Sequence, residues 1–232
     1  MFGVLRDAKG KDNLLMKDIA IFGAGGFGRE VACLIRSINE CIDVDEERWN
    51  LIGFFDDVKE KGFKTEYGEV IGGTNALNEW KTPLALVIAI GSQGAIKAIS
   101  GNVRNPNVYF PNIVAPNVFF FDQESVIMGK GNIITFSCRL SCNVHMGDFN
   151  ILNGSVSFGH DVVIGNYNVI FPETRLSGYV SVGHENFFGA RTFVAQGLKI
   201  GNRTRVGAGS VVLRNTKDNV LYMGNPAKKM EI

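Results

Sequence analysis

The stretch VSFGHDVVIGNYNVIFPETRLSGYVSVGHE (residues 156–185) repeats itself every six residues. Phe158, Ile164, Ile170, Leu176 and Val182 fall at the third place of successive blocks, and all are apolar. The register extends in both directions without a slip, from VIMGKG (126–131) to SVVLRN (210–215), giving fifteen blocks with an apolar third residue in each. Glycine follows that residue in eight blocks, and the first place is almost always Val, Asn, Thr, Cys or Ser. Self-similarity at a fixed hexapeptide period marks a parallel β-helix. One residue in six points inward, a smaller one shares the inner wall, and a small residue starts a tight corner. Three blocks make one triangular coil, and coils stack at strand spacing of about 4.8 Å, so five coils give a prism of roughly 24 Å. YFPNIVAPNVFFFDQES (109–125) reads as an imperfect lead-in coil. A short prism leaves sheet surfaces and ends open to pairing, and side-by-side assembly into a closed ring is the expected symmetric solution.

Upstream of residue 108 the pattern changes to α/β. DIAIF (18–22) reads as a strand, GAGGFG (23–28) as a turn, and REVACLIRSIN (29–39) as a helix whose Val31, Leu34, Ile35 and Ile38 share one face. LIGFF (51–55) is a second strand ending in Asp56 and Asp57, and EVIGG (69–73) a short third one. TNALNEW (74–80) reads as a helix with Thr74 as N-cap. LALVIAI (84–90) is a continuous apolar run, as for a strand buried on both faces, and a helix is expected over 92–100. Strand–helix alternation predicts a small parallel sheet. The chain therefore divides into a lead-in (1–17), an α/β half-Rossmann domain (18–107) and a β-helix domain with its tail (108–232).

Composition excludes several classes. The 232 residues carry a net charge near +1, which gives no footprint for nucleic acid or an anionic membrane. No apolar run approaches membrane-spanning length, and the N-terminus lacks the apolar core of a signal peptide, so a cytoplasmic protein is expected. Cys33, Cys41, Cys138 and Cys142 form no C-x-x-C pair, and no histidine is spaced to complete a zinc site; four free thiols and no metal are expected, with Cys33 and Cys138 buried.

The only histidines are His145, His160 and His184. His160 and His184 both occupy the fifth place of a block, an outward corner, and each precedes an acid, Asp161 or Glu185. They stand 24 residues apart, one coil and a third, and so sit on different corners. Spacing does not choose between them.

The hexapeptide run together with YMGNPAKKM (222–230) resembles the left-handed β-helix acyltransferases. GAGGFGREV, LIGFFDD, LVIAIGSQ, FGHDVVIG and that tail, in this order across residues 18–230, resemble the sugar acetyltransferases of the sialic-acid O-acetyltransferase and bacillosamine-pathway N-acetyltransferase type. The resemblance implies a left-handed coil, against the usual right-handed crossover. It also implies a homotrimer with active sites between subunits and acetyl-CoA in the groove between neighbouring prisms.

By the same resemblance G-H-D/E followed by V-I-G is the catalytic segment, which selects His160 as general base and leaves His184 a solvated corner residue and His145 a lateral-face contact. Imidazole suits the removal of a proton from an amine or hydroxyl attacking a thioester. Asp161 would orient the ring, the alternative being a corner cap. Gly178 would supply a backbone N–H to the oxyanion. Ala190 and Ala208 would border the cofactor through backbone atoms, although the fold itself calls for small residues there. Val169 stands in the cofactor-binding set where some relatives carry histidine, and Pro226 and Ala227 would help cover the cofactor. The substrate-binding set is Gly25, Gly26, Phe27, Asp56, Asp57, Gly91, Ser92 and Gln93. Many relatives carry histidine at the position of Phe27.

Bottom-up, GAGGFG is a full G-x-G-x-x-G between strand and helix, suited to holding phosphate on backbone N–H groups. About 85 residues build one mononucleotide half rather than two, so a nucleotide sugar fits better than a dinucleotide. Plain alternatives stand beside these roles: a tight turn for the glycines, a solvated strand end for Asp56 and Asp57, a helix cap for Ser92. The expected activity is acetyl-CoA-dependent N-acetylation of a nucleotide-linked amino sugar. Sugar O-acetylation, a three-histidine metal enzyme and a non-catalytic nucleotide-sugar-binding trimer are the competing readings.

Overall fold

The computed structural model describes residues 16–42 and 47–230. In chain order, β1 (Met16–Phe22), α1 (Gly26–Cys41), β2 (Arg48–Phe55), β3 (Lys64–Thr65), β4 (Gly68–Gly72), α2 (Thr74–Asn78), β5 (Leu84–Ile88), α3 (Gln93–Asn102) and β6 (Val108–Tyr109) form the α/β unit. Its sheet runs β3-β4-β2-β1-β5-β6 and is parallel apart from the β3–β4 hairpin. Every residue of β5 is buried, as a strand covered on both faces requires. Val31, Leu34 and Ile35 of α1 are buried and Ile38 packs against them, so the helical spacing read from the sequence is the face that docks.

Several boundaries differ from expectation. Met16 and Lys17 pair with Arg48 and Trp49, so β1 takes in the last two residues of the lead-in; residues 1–15 lie outside the described residues. Val108 and Tyr109 pair with Leu84 and Ala85, which carries the α/β sheet two residues past the expected division. The N-cap of α2 is Gly73 rather than Thr74, because the Asp57 carboxylate reaches across and accepts from both the N–H and the hydroxyl of Thr74, each at 2.7 Å.

The remainder is a left-handed parallel β-helix with three parallel sheets for walls. Strands pair with those 18 residues on, as Ile133 with Ile151 and Ser157 with Arg175. From Ile134 to Val212 every third-place residue is at most 4% exposed, and Met128 closes the upper end half-buried. The sixth place of each block, from Gly131 to Gly209, has φ between 50 and 74°. That left-handed corner costs a side-chain-bearing residue about 1–2 kcal/mol. From Phe149 to Gly209 it is offset by a ladder bond from each corner N–H to the fifth-place carbonyl one coil back, as Tyr179 N–H donates to His160 O at 2.9 Å.

One inner corner is polar. Asn132, Asn150, Asn168 and Asn186 are fully buried and stack one per coil. Each Oδ1 accepts the backbone N–H of the next coil at 2.7–2.9 Å, ending at Thr204, and the amide nitrogens join the same column. A buried polar side chain is tolerated only when so paired.

The wall bearing Ile133, Ile151, Val169 and Phe187 carries the α/β unit, and these side chains join its hydrophobic core. Polar contacts lock the junction: Gln93 Nε2 donates to Asn186 O at 3.2 Å, and Lys97 Nζ pairs with Glu185 at 2.8 Å. The prism has three edges. Two border this docked wall: one carries Asp148, Asn166, His184 and Asn202, the other Gly154, Pro172, Ala190 and Ala208. The third, with Cys142, His160, Gly178 and Gln196, lies opposite it. At the prism's lower end the tail folds back as a hairpin of Leu221–Met223 on Lys228–Met230, and Ala227 donates to Val211 O at 2.8 Å, closing the core.

Candidate active site

His160 and Asp161 share one corner, and the left-handed backbone of Asp161 (φ 56°) turns its carboxylate back towards the ring. His160 Nδ1 and Asp161 Oδ2 are 2.8 Å apart. An ionised carboxylate only accepts, so in the neutral ring Nδ1 carries the proton and Nε2 presents its lone pair. Among the described residues nothing bonds to Nε2. The ring lies on Gly178, one coil below, where an added Cβ would come within 2.6 Å of Nε2. Tyr179 meets the ring edge-on, with centroids 4.8 Å apart.

The Gly178 N–H makes no hydrogen bond among the described residues. The reason is local. On the histidine-184 edge, each fifth-place N–H is taken by the side chain one coil below: Asp148 N–H by Asn166, Asn166 N–H by His184, His184 N–H by Asn202. On the His160 edge the side chain one coil below Gly178 is Gln196, which makes no such bond among the described residues. The Gly178 N–H is therefore open beside the imidazole.

His184 is an exposed corner residue, as expected, and it also bonds the backbone. Its Nδ1 accepts Asn166 N–H at 2.9 Å, which fixes the opposite tautomer from that of His160. His145 faces outward on a lateral wall, as expected. The three histidines occupy two different edges and a wall, and among the described residues no three potential ligands cluster to hold a metal.

A second site lies at the glycine turn. Gly23 has φ 108°, and a Cβ on Gly28 would fall 1.8 Å from Gly23 O, so one glycine makes the turn and the other lets α1 approach β1. Gly25 and Gly26 face open space. They line a cleft of about 510 Å³ with Ala24, Arg29, Lys59, Lys64 and the β3 end of the hairpin, where Phe63 and Glu66 sit. Three cations against one acid, with backbone N–H groups exposed at the start of α1, suit a phosphorylated ligand.

Residues 18–100 match the PglD N-terminal domain family. Over the whole chain the fold matches the acetyltransferase domain of PglB from Neisseria gonorrhoeae FA1090 in complex with acetyl coenzyme A, with TM-score 0.82 and 25% identity, covering 92% of this chain and 99% of that one. The chain has the architecture of such acetyltransferases, an N-terminal unit that matches the PglD N-terminal domain family followed by a hexapeptide-repeat β-helix. PerB from Caulobacter crescentus, in complex with CoA and GDP-perosamine, matches with TM-score 0.80 and 27% identity over 92% of this chain and 97% of that one. WeeI from Acinetobacter baumannii AYE matches with TM-score 0.81 and 25% identity over 93% and 100%. No curated protein matches the chain significantly.

Within the α/β unit both members of the expected acidic pair bond neighbouring segments. Asp56 Oδ2 accepts Ala24 N–H at 2.9 Å, and its Oδ1 accepts from Val58 and Lys59. Burial pushes its pKa up, but these three N–H bonds and the Lys59 charge outweigh burial and hold the carboxyl below its ordinary value. Asp57 caps α2. Neither lines the glycine-turn cleft; Asp56 is half-buried, and Asp57 is exposed and borders a separate cleft with Gly73, Thr74 and Arg104. Ser92 caps α3, accepting from Ala95 at 3.4 Å, next to exposed Gly91, and Gln93 is engaged with Asn186. Phe27 is half-buried against the domain core. Lys59 and Lys64 were not readable as site residues, because only the folding of the segment after β2 brings them to the glycines, whereas Arg29 follows those glycines directly on α1.

On the prism, Gly178 sits with His160 as expected, whereas Ala190 and Ala208 stack on a different edge of the same chain. Val169 is 1% exposed in the docked wall, so its side chain has no open face to a cofactor. Cys138 is buried, which pushes its thiol up to about 11, while Cys33 is half-buried rather than buried. Among the described residues no helix is long and apolar enough to cross a membrane.

Proposed function

We propose that this chain transfers acetyl from acetyl-CoA to the amine of a nucleotide-linked sugar, with His160 as general base, acting as a cytoplasmic homotrimer. The observation that carries the reading is the His160–Asp161 pair with Nε2 unbonded above an unpaired Gly178 N–H. The relatives support the substrate class: PerB is described with CoA and GDP-perosamine, the PglB domain with acetyl coenzyme A.

Acetyl-CoA supplies an activated acetyl group as a thioester. His160 Nε2 takes the proton that the attacking amine sheds as the C–N bond forms, and returns it to the sulfur as the C–S bond breaks. Asp161 fixes the ring and stabilises the imidazolium. The Gly178 N–H donates to the oxygen on which charge develops. Arg29, Lys59, Lys64 and the open turn at Gly25 and Gly26 hold the nucleotide phosphates.

His160 stands on the edge opposite the wall that carries its own α/β unit. A sugar held at the glycine turn of one chain therefore meets the histidine of another, and Ala190 and Ala208 border the cofactor from the neighbouring prism. The test is thiol release from acetyl-CoA with a panel of UDP-, GDP- and dTDP-linked amino sugars. Release with at least one is expected. Release only with a sugar hydroxyl acceptor would make the chain an O-acetyltransferase instead.

A further inference from the structure

Resting on the reading of His160 as the base, we propose that Asn143 is a positioning residue that holds Asp161 and, through it, the tautomer of His160. Asn143 stands 18 residues before Asp161, one coil above it on the same edge, and its Nδ2 donates to Asp161 Oδ1 at 3.3 Å. The other carboxylate oxygen of Asp161 faces His160 Nδ1 at 2.8 Å. With one oxygen held by each neighbour, the carboxylate cannot swing away from the ring.

Asn143 is itself anchored. Its N–H donates to Ser125 Oγ at 2.9 Å, and that hydroxyl donates to Asp122 O at 3.0 Å. Ser125 ends a short 3₁₀ turn, Gln123–Ser125, that exists because the first coil is longer than the rest. Ile113 pairs with Ile133 across 20 residues, whereas Ile133 pairs with Ile151 across 18. The insertion thus ends in a hydroxyl placed over the catalytic edge.

The donor's lack of charge is the telling feature. Three acids occupy sixth-place corners: Asp161, Glu173 and Glu185. Glu173 is paired with Arg191 at 2.7 Å and Glu185 with Lys97 at 2.8 Å. Among the described residues Asp161 is the one held by an amide instead of a cation. A cation there would spend the negative charge that the imidazolium of His160 needs, while an amide orients the carboxylate and leaves the charge in place.

Only the Nδ1–H tautomer of neutral His160 leaves Nε2 able to take a proton. Without Asn143 the carboxylate is free to rotate and that preference weakens. Two variants test this without disturbing the corner. Asn143→Gly tolerates φ 54°, and Asn143→Ser removes the amide at a corner conformation that Ser137 and Ser155 already adopt. Both are expected to lower kcat about 10- to 100-fold, inside the 10²–10⁴ that a general base contributes, with KM for the amino sugar and Tm unchanged. Nitrogen-15 NMR of the imidazoles should show neutral His160 moving from Nδ1–H towards Nε2–H, with His184 unmoved as internal reference.

Wild-type kcat and tautomer in both variants, with His160→Ala inactive, would overturn the role of Asn143 while leaving the base assignment standing. An active His160→Ala would overturn that assignment first.

Discussion

His184 Nδ1 accepts the backbone N–H of Asn166 at 2.9 Å, so this histidine is a rung in a ladder otherwise built from Asp148, Asn166, Asn202 and Asp218. An asparagine fits every property of that rung. His184→Asn should keep kcat, and keep Tm within a few degrees, while His160→Asn loses turnover. Steady-state kinetics of the two variants check it. Loss of activity in His184→Asn with retention in His160→Asn would reverse the assignment.

Gly178→Ala should act on catalysis rather than on stability. The backbone at 178 is not left-handed, so alanine brings no φ strain, and the atom met by its Cβ is the tip of a half-exposed ring. The ring must shift by an ångström or so, a misplacement that can cost about a hundredfold in rate. We expect that loss in kcat with an unchanged or slightly higher Tm; unchanged kcat would mean that the ring position is not required.

The asparagine column carries stability. Asn168→Ala removes the acceptor of both the N–H and the Nδ2 of Asn186, which are fully buried. Two orphaned groups at about 1–3 kcal/mol each give a loss of about 2–6 kcal/mol, read from urea unfolding. A loss below about 1 kcal/mol would show that water or a shifted coil replaces the bonds.

Asp56 ties acid stability to the glycine turn. Its folded pKa lies below the ordinary value despite burial, because the N–H groups of Ala24, Lys59 and Val58 bond the charged form. A depressed folded pKa contributes stability above the unfolded value, about 3.9, and that stability is lost as pH falls through the folded value. Asp56→Asn should therefore be less stable than the wild type at pH 7, with the gap closing towards pH 3. A pH-independent gap would contradict the linkage.

The β-helix and half-Rossmann architecture were legible because each rests on a local period, six in one half and helical spacing in the other. Phe158 and Ile164 announce an inner wall without any long-range information. The docked wall left a faint trace: its second places read Ile133, Ile151, Val169 and Phe187 before Arg205, whereas the other two walls mix Ile127, Val163 and Phe193 with His145, Ser157 and Arg175. That trace places Val169 under the α/β unit and away from a cofactor. The choice between His160 and His184 was not legible from spacing, since both occupy the same place in look-alike blocks. It depends on what stands one coil away, Gly178 beneath His160 and Asn202 beneath His184. The bonds that Asp56 and Asp57 make were not legible, because their partners, Ala24 and Thr74, lie 32 and 17 residues distant.

The central claim is that Nε2 of His160 accepts the proton in acetyl transfer. It is tested most directly by CoA release from acetyl-CoA with the best amino-sugar acceptor, comparing wild type with His160→Ala at matched folding and oligomeric state. The account predicts a fall in kcat of about 10²–10⁴ with binding of both substrates preserved. Turnover within a few-fold of wild type would contradict it.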